Sequence, residues 1–310
     1  LPEEGVTWPR AAALFGHPGG QGVIKCLKYR LRRAGAGTPK DSLIARVAAD
    51  PAWRAMYRRT PSHFYPPLCH FMDRRLGMRE RFAAAEADLQ GASQCFGERR
   101  AQWLASGRRE VIARMAGEFD VCLGVNDLSI HEGVWALSLR DGAGRRLYSL
   151  SFSFGAGRTL LVGSVQGPRA NEVEGPEAVI RDITKRAEGL RPPHLLFEAL
   201  RGAARAWGIG RLLGIDPINH IKGRWNMRAK RLRFDYRQFW QELGGHQQVD
   251  GHWQIPLDAV QREAEDIPAR KRAMYRRRYA LIDSMTSAVF AALSGDEAGR
   301  QAPAAVVVVR

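Results

Sequence analysis

Residues 146–166 read RLYSLSFSFGAGRTLLVGSVQ, and this stretch decides the fold. Ser149, Ser151 and Ser153 alternate with Leu150, Phe152 and Phe154. Successive strand side chains point to opposite faces, so the alternation predicts a strand with one apolar and one wet face. Gly155-Ala156-Gly157 then supplies a tight turn, and the apolar run 159–166 supplies the returning strand. The pattern continues upstream. Short apolar runs at 121–125 and 134–139 precede it, and Asp141-Gly142-Ala143-Gly144 marks a turn before residue 146. Together these segments predict a four-strand antiparallel meander.

Downstream the period changes from two to that of a helix. Residues 176–187 read as helical, and Pro192 and Pro193 open a second helix over 194–207. That helix carries Leu195, Leu196, Ala199, Leu200, Ala203 and Ala206 on one face, and Gly208-Ile209-Gly210 ends it. Residues 211–215 are a short buried strand. Strand, helix, strand in this order predicts a crossover onto the same sheet.

Residues 1–118 read mainly as helices. Residues 16–22 (GHPGGQG) form a flexible break, and 61–67 (PSHFYPP) a rigid loop. Helices are expected at 41–49, at 50–59 behind Asp50 and Pro51, at 79–90 and at 108–115. A last helix is expected over 268–290, and a loose tail from 294. The expected fold is α+β: a mixed, largely antiparallel central sheet, a helical N-terminal region (1–118), a core with a C-terminal basic helix (119–293) and a tail (294–310).

The chain has 310 residues, with 48 Lys and Arg against 32 Asp and Glu, a formal charge of +16. With 45% hydrophobic residues, disorder throughout is excluded. No apolar run approaches the ~20 residues of a membrane-spanning helix. The four cysteines show no C-x-x-C pair, and the eight histidines no metal-ligand spacing, so no metal is called for. The chain opens Leu1-Pro2-Glu3-Glu4 without a basic-then-apolar leader. A reducing compartment is expected: the cytoplasm, with peripheral association at the inner membrane as an option.

The charge concentrates in two runs. The first holds Lys222, Arg224, Arg228, Lys230, Arg231, Arg233 and Arg237, with Trp225, Phe234 and Tyr236 interleaved. The second holds Arg270, Lys271, Arg272, Arg276, Arg277 and Arg278. Guanidinium groups favour phosphate and carboxylate partners. Interleaved aromatics stack on bases or sit at a lipid interface. The partners expected are therefore tRNA or an anionic membrane surface, with Lys222, Arg224, Arg228, Lys230, Arg231, Arg233, Arg272, Arg276 and Arg277 as the phosphate-binding residues.

Several segments occur in the order seen in a bacterial family. They are His131-Glu132-Gly133, Leu147 to Phe152, Gly163-Ser164-Val165-Gln166-Gly167, Gly189-Leu190-Arg191-Pro192, Asn219-His220, Phe239 to Gly245 and Lys271 to Tyr279. The chain resembles the VirK/YbjX family over roughly residues 20–290. The resemblance implies links to virulence, resistance to cationic antimicrobial peptides and envelope integrity, with some members membrane-associated. It departs from the family at Glu188, where members often carry His.

Residues 185–220 also resemble the core of the GNAT acyltransferase superfamily. That resemblance implies a loop holding the donor pyrophosphate at a helix N-terminus, where free N–H groups and the helix dipole favour an anion. Gln166, Gly189, Arg191 and Asn219 are then the donor-binding residues. No resident cofactor is called for; acyl-coenzyme A or aminoacyl-tRNA would be the donor. The segment departs from GNAT order because the helix at 176–187 intervenes between strand and loop.

Candidate catalytic residues are His220, His131 and Glu132. His220 follows the last central strand, where sites of α/β sheets tend to lie. His131 and Glu132 are adjacent near a strand start, so they point apart and are not a dyad; either alone is a candidate general base. The leading expectation is a GNAT-like acyl- or aminoacyl-transferase. The alternatives are a non-enzymatic envelope factor on anionic lipid and a nucleic-acid-binding module, although no helix-turn-helix, RRM or KH signature appears.

Overall fold

The computed structural model describes residues 6–16, 20–115, 118–168, 173–223, 234–259, 261–295 and 306–307. Six helices come first: α1 (Ala11–Phe15), α2 (Gly20–Ala34), α3 (Gly37–Ala49), α4 (Pro51–Arg59), α5 (Pro66–Cys69) and α6 (Met78–Ala105). α4 begins as its sequence predicts, with the Asp50 carboxylate accepting from the Ala52 N–H (2.8 Å) and Pro51 in the first turn. The PSHFYPP segment is a 3₁₀ turn (Pro61–Phe64) running into α5 rather than a loop. α6 starts where Glu80 reaches back to the Gly77 N–H (2.6 Å). It continues well past the expected end at residue 90, with a kink at Gly97.

The strands are β1 (Glu110–Met115), β2 (Phe119–Val125), β3 (Trp135–Asp141), β4 (Arg146–Gly155), β5 (Thr159–Gln166), β6 (Arg211–Gly214), β7 (His246–Gln247), β8 (Trp253–Ile255) and β9 (Val306–Val307). They form one sheet in the order β7-β8-β6-β5-β4-β3-β2-β1-β9. β1 corrects an expectation, because residues 108–115 read as a helix. Its backbone instead pairs antiparallel with β2, burying Ile112, Ala113 and Met115. A short apolar run does not itself choose between helix and strand; an open sheet edge beside it does. The tail likewise returns, pairing residues 306–307 in parallel with β1.

Helices α7 (Pro176–Arg186), α8 (Pro192–Ala206), α9 (Tyr236–Glu242) and α10 (Arg272–Ser294) complete the chain. α8 is the crossover between β5 and β6, which pair in parallel from Thr159↔Arg211 to Val162↔Gly214. The architecture is thus α+β with a mixed, largely antiparallel sheet.

One sheet face carries Leu137, Leu150, Phe152 and Val162, all fully buried. Phe96 of α6 and Trp207 at the end of α8 meet there, with ring centroids 5.4 Å apart, and both touch Phe154. The other face is polar but not wet. Ser149, Ser151, Ser153 and Ser164 are only 2–3% exposed. Ser151 Oγ and Ser164 Oγ bond each other (2.8 Å), Ser151 also donates to Glu132 O, and Ser153 Oγ accepts from the Val134 N–H. Buried hydroxyls satisfied in this way cost little.

The 3₁₀ turn Ile130–Glu132 lies across this polar face. Two glycines permit the approach. Gly133 sits at φ +136°, with the Phe152 backbone 2.8 Å from where a Cβ would stand. A Cβ at Gly163 would stand 1.9 Å from Glu132 O. The turn is therefore pressed onto β4 and β5 at positions where only glycine leaves room.

Candidate functional site

The site forms where the two parallel strands part. The last contact between them is the Ile215 N–H on Val162 O (3.2 Å). β5 then runs on alone through Gly163, Ser164, Val165 and Gln166. Tyr236 of α9 replaces the missing strand at Val165: its hydroxyl accepts from the Val165 N–H (3.1 Å) and donates to Val165 O (3.4 Å). Burial and the nearby Glu132 charge push this phenol's pKa upward, so it stays protonated.

Beyond β6 the chain folds into a tight turn around Asp216. The Asp216 carbonyl accepts from the N–H groups of Asn219 and His220 (2.8 and 3.0 Å). Its carboxylate accepts from the Ile218 N–H, from Trp253 Nε1 and from Arg237. A second buried carboxylate, Asp73, braces the same turn, forming a backbone bridge with His220. Burial alone would raise Asp73, but hydrogen bonds from His252 and Arg75 outweigh it and hold its pKa down to about 2.

This turn delivers His220 into the gap, where its ring stacks on Tyr236 (5.7 Å). His220 Nδ1 accepts from the Lys222 N–H (3.1 Å). A nitrogen that accepts cannot carry the proton, so in the neutral ring the proton sits on Nε2. Nε2 is buried, 3.6 Å from Glu132 Oε1; its one backbone neighbour, Gly163, interacts with it too obliquely to make a well-formed hydrogen bond. Burial lowers the His220 pKa, against the pull of the Glu132 charge and a weaker one from the Gly163 backbone.

Glu132 is only 2% exposed. Its Oε2 accepts from Gln166 Nε2 (2.7 Å), which also bonds Ser164 Oγ, and its Oε1 pairs with Lys222 Nζ (2.6 Å). Lys222 is half exposed and forms the solvent side of the cluster. A buried carboxylate, a tautomer-fixed imidazole, a carboxamide and an ammonium thus converge from three separate segments.

The structure brings together Glu132, Gln166, His220 and Lys222 among the expected site residues. His131 points elsewhere, as adjacency predicts, with Nδ1 donating to His70 O (2.7 Å). Asn219 is a bracing residue: its carbonyl accepts from Arg74 N, and its side chain faces Gly251 O (3.5 Å).

Gly189 and Arg191 belong to a second region. The Gly189 N–H is spent on Thr184 O (2.8 Å), closing the end of α7 at φ +77°. Arg191 pairs with Glu242. Here Arg278 of α10 donates to Glu188 O (2.9 Å) and Arg277 pairs with the Glu188 carboxylate (3.1 Å). A pocket of about 300 Å³ lies between Gly189, Arg191, Arg262, Tyr275 and Arg278. Arg272 donates to Ile267 O, and Arg276 is exposed. Arg224, Arg228, Lys230, Arg231 and Arg233 lie outside the described residues. The residues that sequence reading passed over are the braces: Asp73, Asp216, Ser151, Ser164 and the Tyr236 hydroxyl. Asp216-Pro217 directly after a strand was the available signal.

A family model described as a protein of unknown function (DUF535) matches residues 20–291. The chain belongs to the DUF535 family. It is similar to an uncharacterized protein of Haemophilus influenzae, 29% identical over 245 residues, covering 79% of this chain and 82% of the relative. It is 29% identical over 159 residues to the uncharacterized protein YbjX of Escherichia coli, covering 50% and 47%. It is 28% identical over 211 residues to a Mannheimia haemolytica protein named membrane protein LapB, covering 67% and 90%. The expected kinship with YbjX-type proteins is thereby shown. No solved structure matches. Every residue of the Glu132 cluster falls inside the DUF535 match. No helix among the described residues is long and apolar enough to cross a membrane.

Proposed function

We propose that this DUF535 protein is an acyl- or aminoacyl-transferase whose proton-transfer centre is Glu132 with His220. The observation that carries the reading is the buried Nε2–H of His220, without a well-formed hydrogen bond, facing the buried Glu132 carboxylate across 3.6 Å. Buried polar groups are normally well bonded, and a buried imidazole N–H with no well-formed bond beside a carboxylate offers a substrate atom a donor and a base on one side. In this reading the acceptor amine or hydroxyl attacks the donor's ester or thioester carbonyl. The new C–N or C–O bond forms, Glu132 takes the attacking group's proton, and the His220 Nε2–H supports the oxyanion. Collapse breaks the C–O or C–S bond, and Glu132 returns the proton it took to the leaving oxygen or sulfur.

The roles narrow those expected of sequence alone, where His220, His131 and Glu132 were all candidates and either of the last two could be the base. With Nδ1 already accepting from Lys222 N, His220 is a donor, and the base is the carboxylate. The large positive charge favours a donor bearing phosphates. Arg191 and Arg278 beside the 300 Å³ pocket are the groups to hold them.

The test is titration of the purified protein with coenzyme A and with tRNA, followed by transfer assays with the charged donors. Binding of one ligand, weakened by Arg191→Ala, supports the reading. Turnover lost in Glu132→Gln with donor affinity retained supports the assigned roles. Absence of binding to either ligand overturns it.

A further inference from the structure

Helix α2 is amphipathic the wrong way round for a helix that only packs on its own protein. Its inward side is Tyr29, fully buried, with Cys26 partly buried beside it. Tyr29 packs on Phe15 and Tyr65 (5.7 and 6.1 Å) and donates to Pro9 O (2.6 Å). Its outward side carries Val23, Ile24, Leu27 and Leu31, which are 56%, 56%, 56% and 65% exposed. At 3.6 residues per turn these four fall within roughly 100° of arc, the width of a stripe that globular helices turn toward a core.

The chemistry at the borders of the stripe identifies its occupant. On the same helical projection Lys28 borders one edge and Arg30 the other, with Lys25 beyond Lys28; all three are exposed. None of the three forms an ion pair with the described residues. The sequence has no Asp or Glu between Glu4 and Asp41. Two copies of this face would bring their lysines and arginines together with no acid to offset them, so self-association is disfavoured. An aliphatic stripe bracketed by cations matches the boundary between acyl chains and anionic headgroups.

We propose that α2 is a membrane-surface helix. It lies in the plane of an anionic phospholipid bilayer, with Val23, Ile24, Leu27 and Leu31 at the acyl boundary and Lys25, Lys28 and Arg30 on headgroup phosphates. This surface is on a different element from the two basic runs and does not rest on the proposed transfer reaction.

The test is flotation of the full chain with phosphatidylglycerol/phosphatidylcholine vesicles, against pure phosphatidylcholine, at low and high salt. The wild type is expected to float with anionic vesicles and to be released by salt. Ile24→Ser/Leu27→Ser/Leu31→Ser should bind roughly tenfold more weakly or worse. Lys25→Glu/Lys28→Glu/Arg30→Glu should lose more, since each cation near an anionic surface is worth about fivefold. All these positions are exposed, so unchanged circular dichroism and melting temperature separate lost binding from lost folding. Arg181→Glu/Lys185→Glu, exposed on α7, should bind as wild type.

Three results overturn the proposal. The wild type ignores anionic vesicles; or the serine variant floats as well as the wild type; or α2 proves to be a contact between copies, shown by a dimer that the serine variant alone dissociates.

Discussion

Replacing Gly163 by alanine tests the placement of Glu132 without touching its side chain. The added Cβ would stand 1.9 Å from Glu132 O and 2.7 Å from Glu132 C, with Met72 Cε at 3.2 Å. The methionine end can swing aside; the two backbone atoms cannot. To reach ordinary contact the 130–132 turn must rise from β5 by about 1.5 Å, where van der Waals contact begins. Overpacking of a tight site costs about 1–3 kcal/mol. Lifting the turn also stretches the Ser151 Oγ–Glu132 O bond, now 2.7 Å, worth about 1 kcal/mol. The expected loss is about 2–4 kcal/mol, or roughly 3–6 °C in Tm for a chain of this size. Gly142→Ala is the control, since nothing lies within 4 Å of its added Cβ. Its effect should stay within about 0.5 kcal/mol. Urea unfolding followed by the fluorescence of the eight tryptophans gives both numbers. If Gly163→Ala unfolds at the same urea concentration as Gly142→Ala, the turn does not rest on β5, and the Glu132–His220 geometry fails with it.

Other perturbations separate the fold's supports from its chemistry. Under the proposed reaction, Glu132→Gln should lower transfer by roughly 10²-fold or more while leaving donor binding intact; equal loss of both would make Glu132 a structural residue. Arg201 is 2% exposed and bonds Glu198 Oε1 (2.5 Å), Pro256 O and Leu243 O. Arg201→Met should cost about 3–5 kcal/mol by stranding Glu198, and adding Glu198→Met should restore most of it; an unrepaired double variant in urea unfolding would refute this. His63 is buried, and burial, then the Arg59 charge, pushes its pKa down to about 4. The folded state therefore resists a proton that the unfolded chain takes up below about pH 6.5, so stability falls as pH drops through that window. Between about pH 7 and pH 5 this one group removes about 2 kcal/mol, and His63→Phe should reduce the acid loss by that amount relative to wild type. Parallel pH profiles for the two proteins would contradict it.

Most of the sheet was legible because its strands alternate locally. The Ser/Leu/Phe pattern of β4 and the Gly-Ala-Gly turn need no distant partner to be read. α4 was legible for the same reason, from Asp50 and Pro51. β1 was not. Val111, Ile112 and Met115 are spaced as well for one helix face as for a strand. What decides between them is the open edge of β2 and the Arg100–Glu110 ion pair (2.7 Å), which ties α6 to the strand while Arg100 also bonds the last carbonyls of α10. Contacts of that sequence separation leave no local mark. The serine face was misjudged for a related reason: alternation reports polarity, and whether a polar face is wet depends on what lies over it.

The site shows the same division between local and distant information. Glu132, Gln166, His220 and Lys222 were each candidates on local grounds, but their convergence depends on a turn seated on a glycine of β5. The Gly189–Pro193 segment argues the opposite case. Its sequence suggests a phosphate cradle at a helix start, yet several of the donors that would make such a cradle are committed or missing. The Gly189 N–H bonds Thr184 O, the Leu190 N–H bonds Ala187 O, and Pro192 and Pro193 have no N–H to offer. A glycine-and-proline turn can end one helix and begin the next using the same atoms that would hold a phosphate. Any anion bound there must therefore be held mainly by side chains, from Arg191, Arg262 and Arg278 around the pocket. Guanidinium contacts of that kind weaken steeply with salt, whereas a cradle of buried backbone dipoles does so much less.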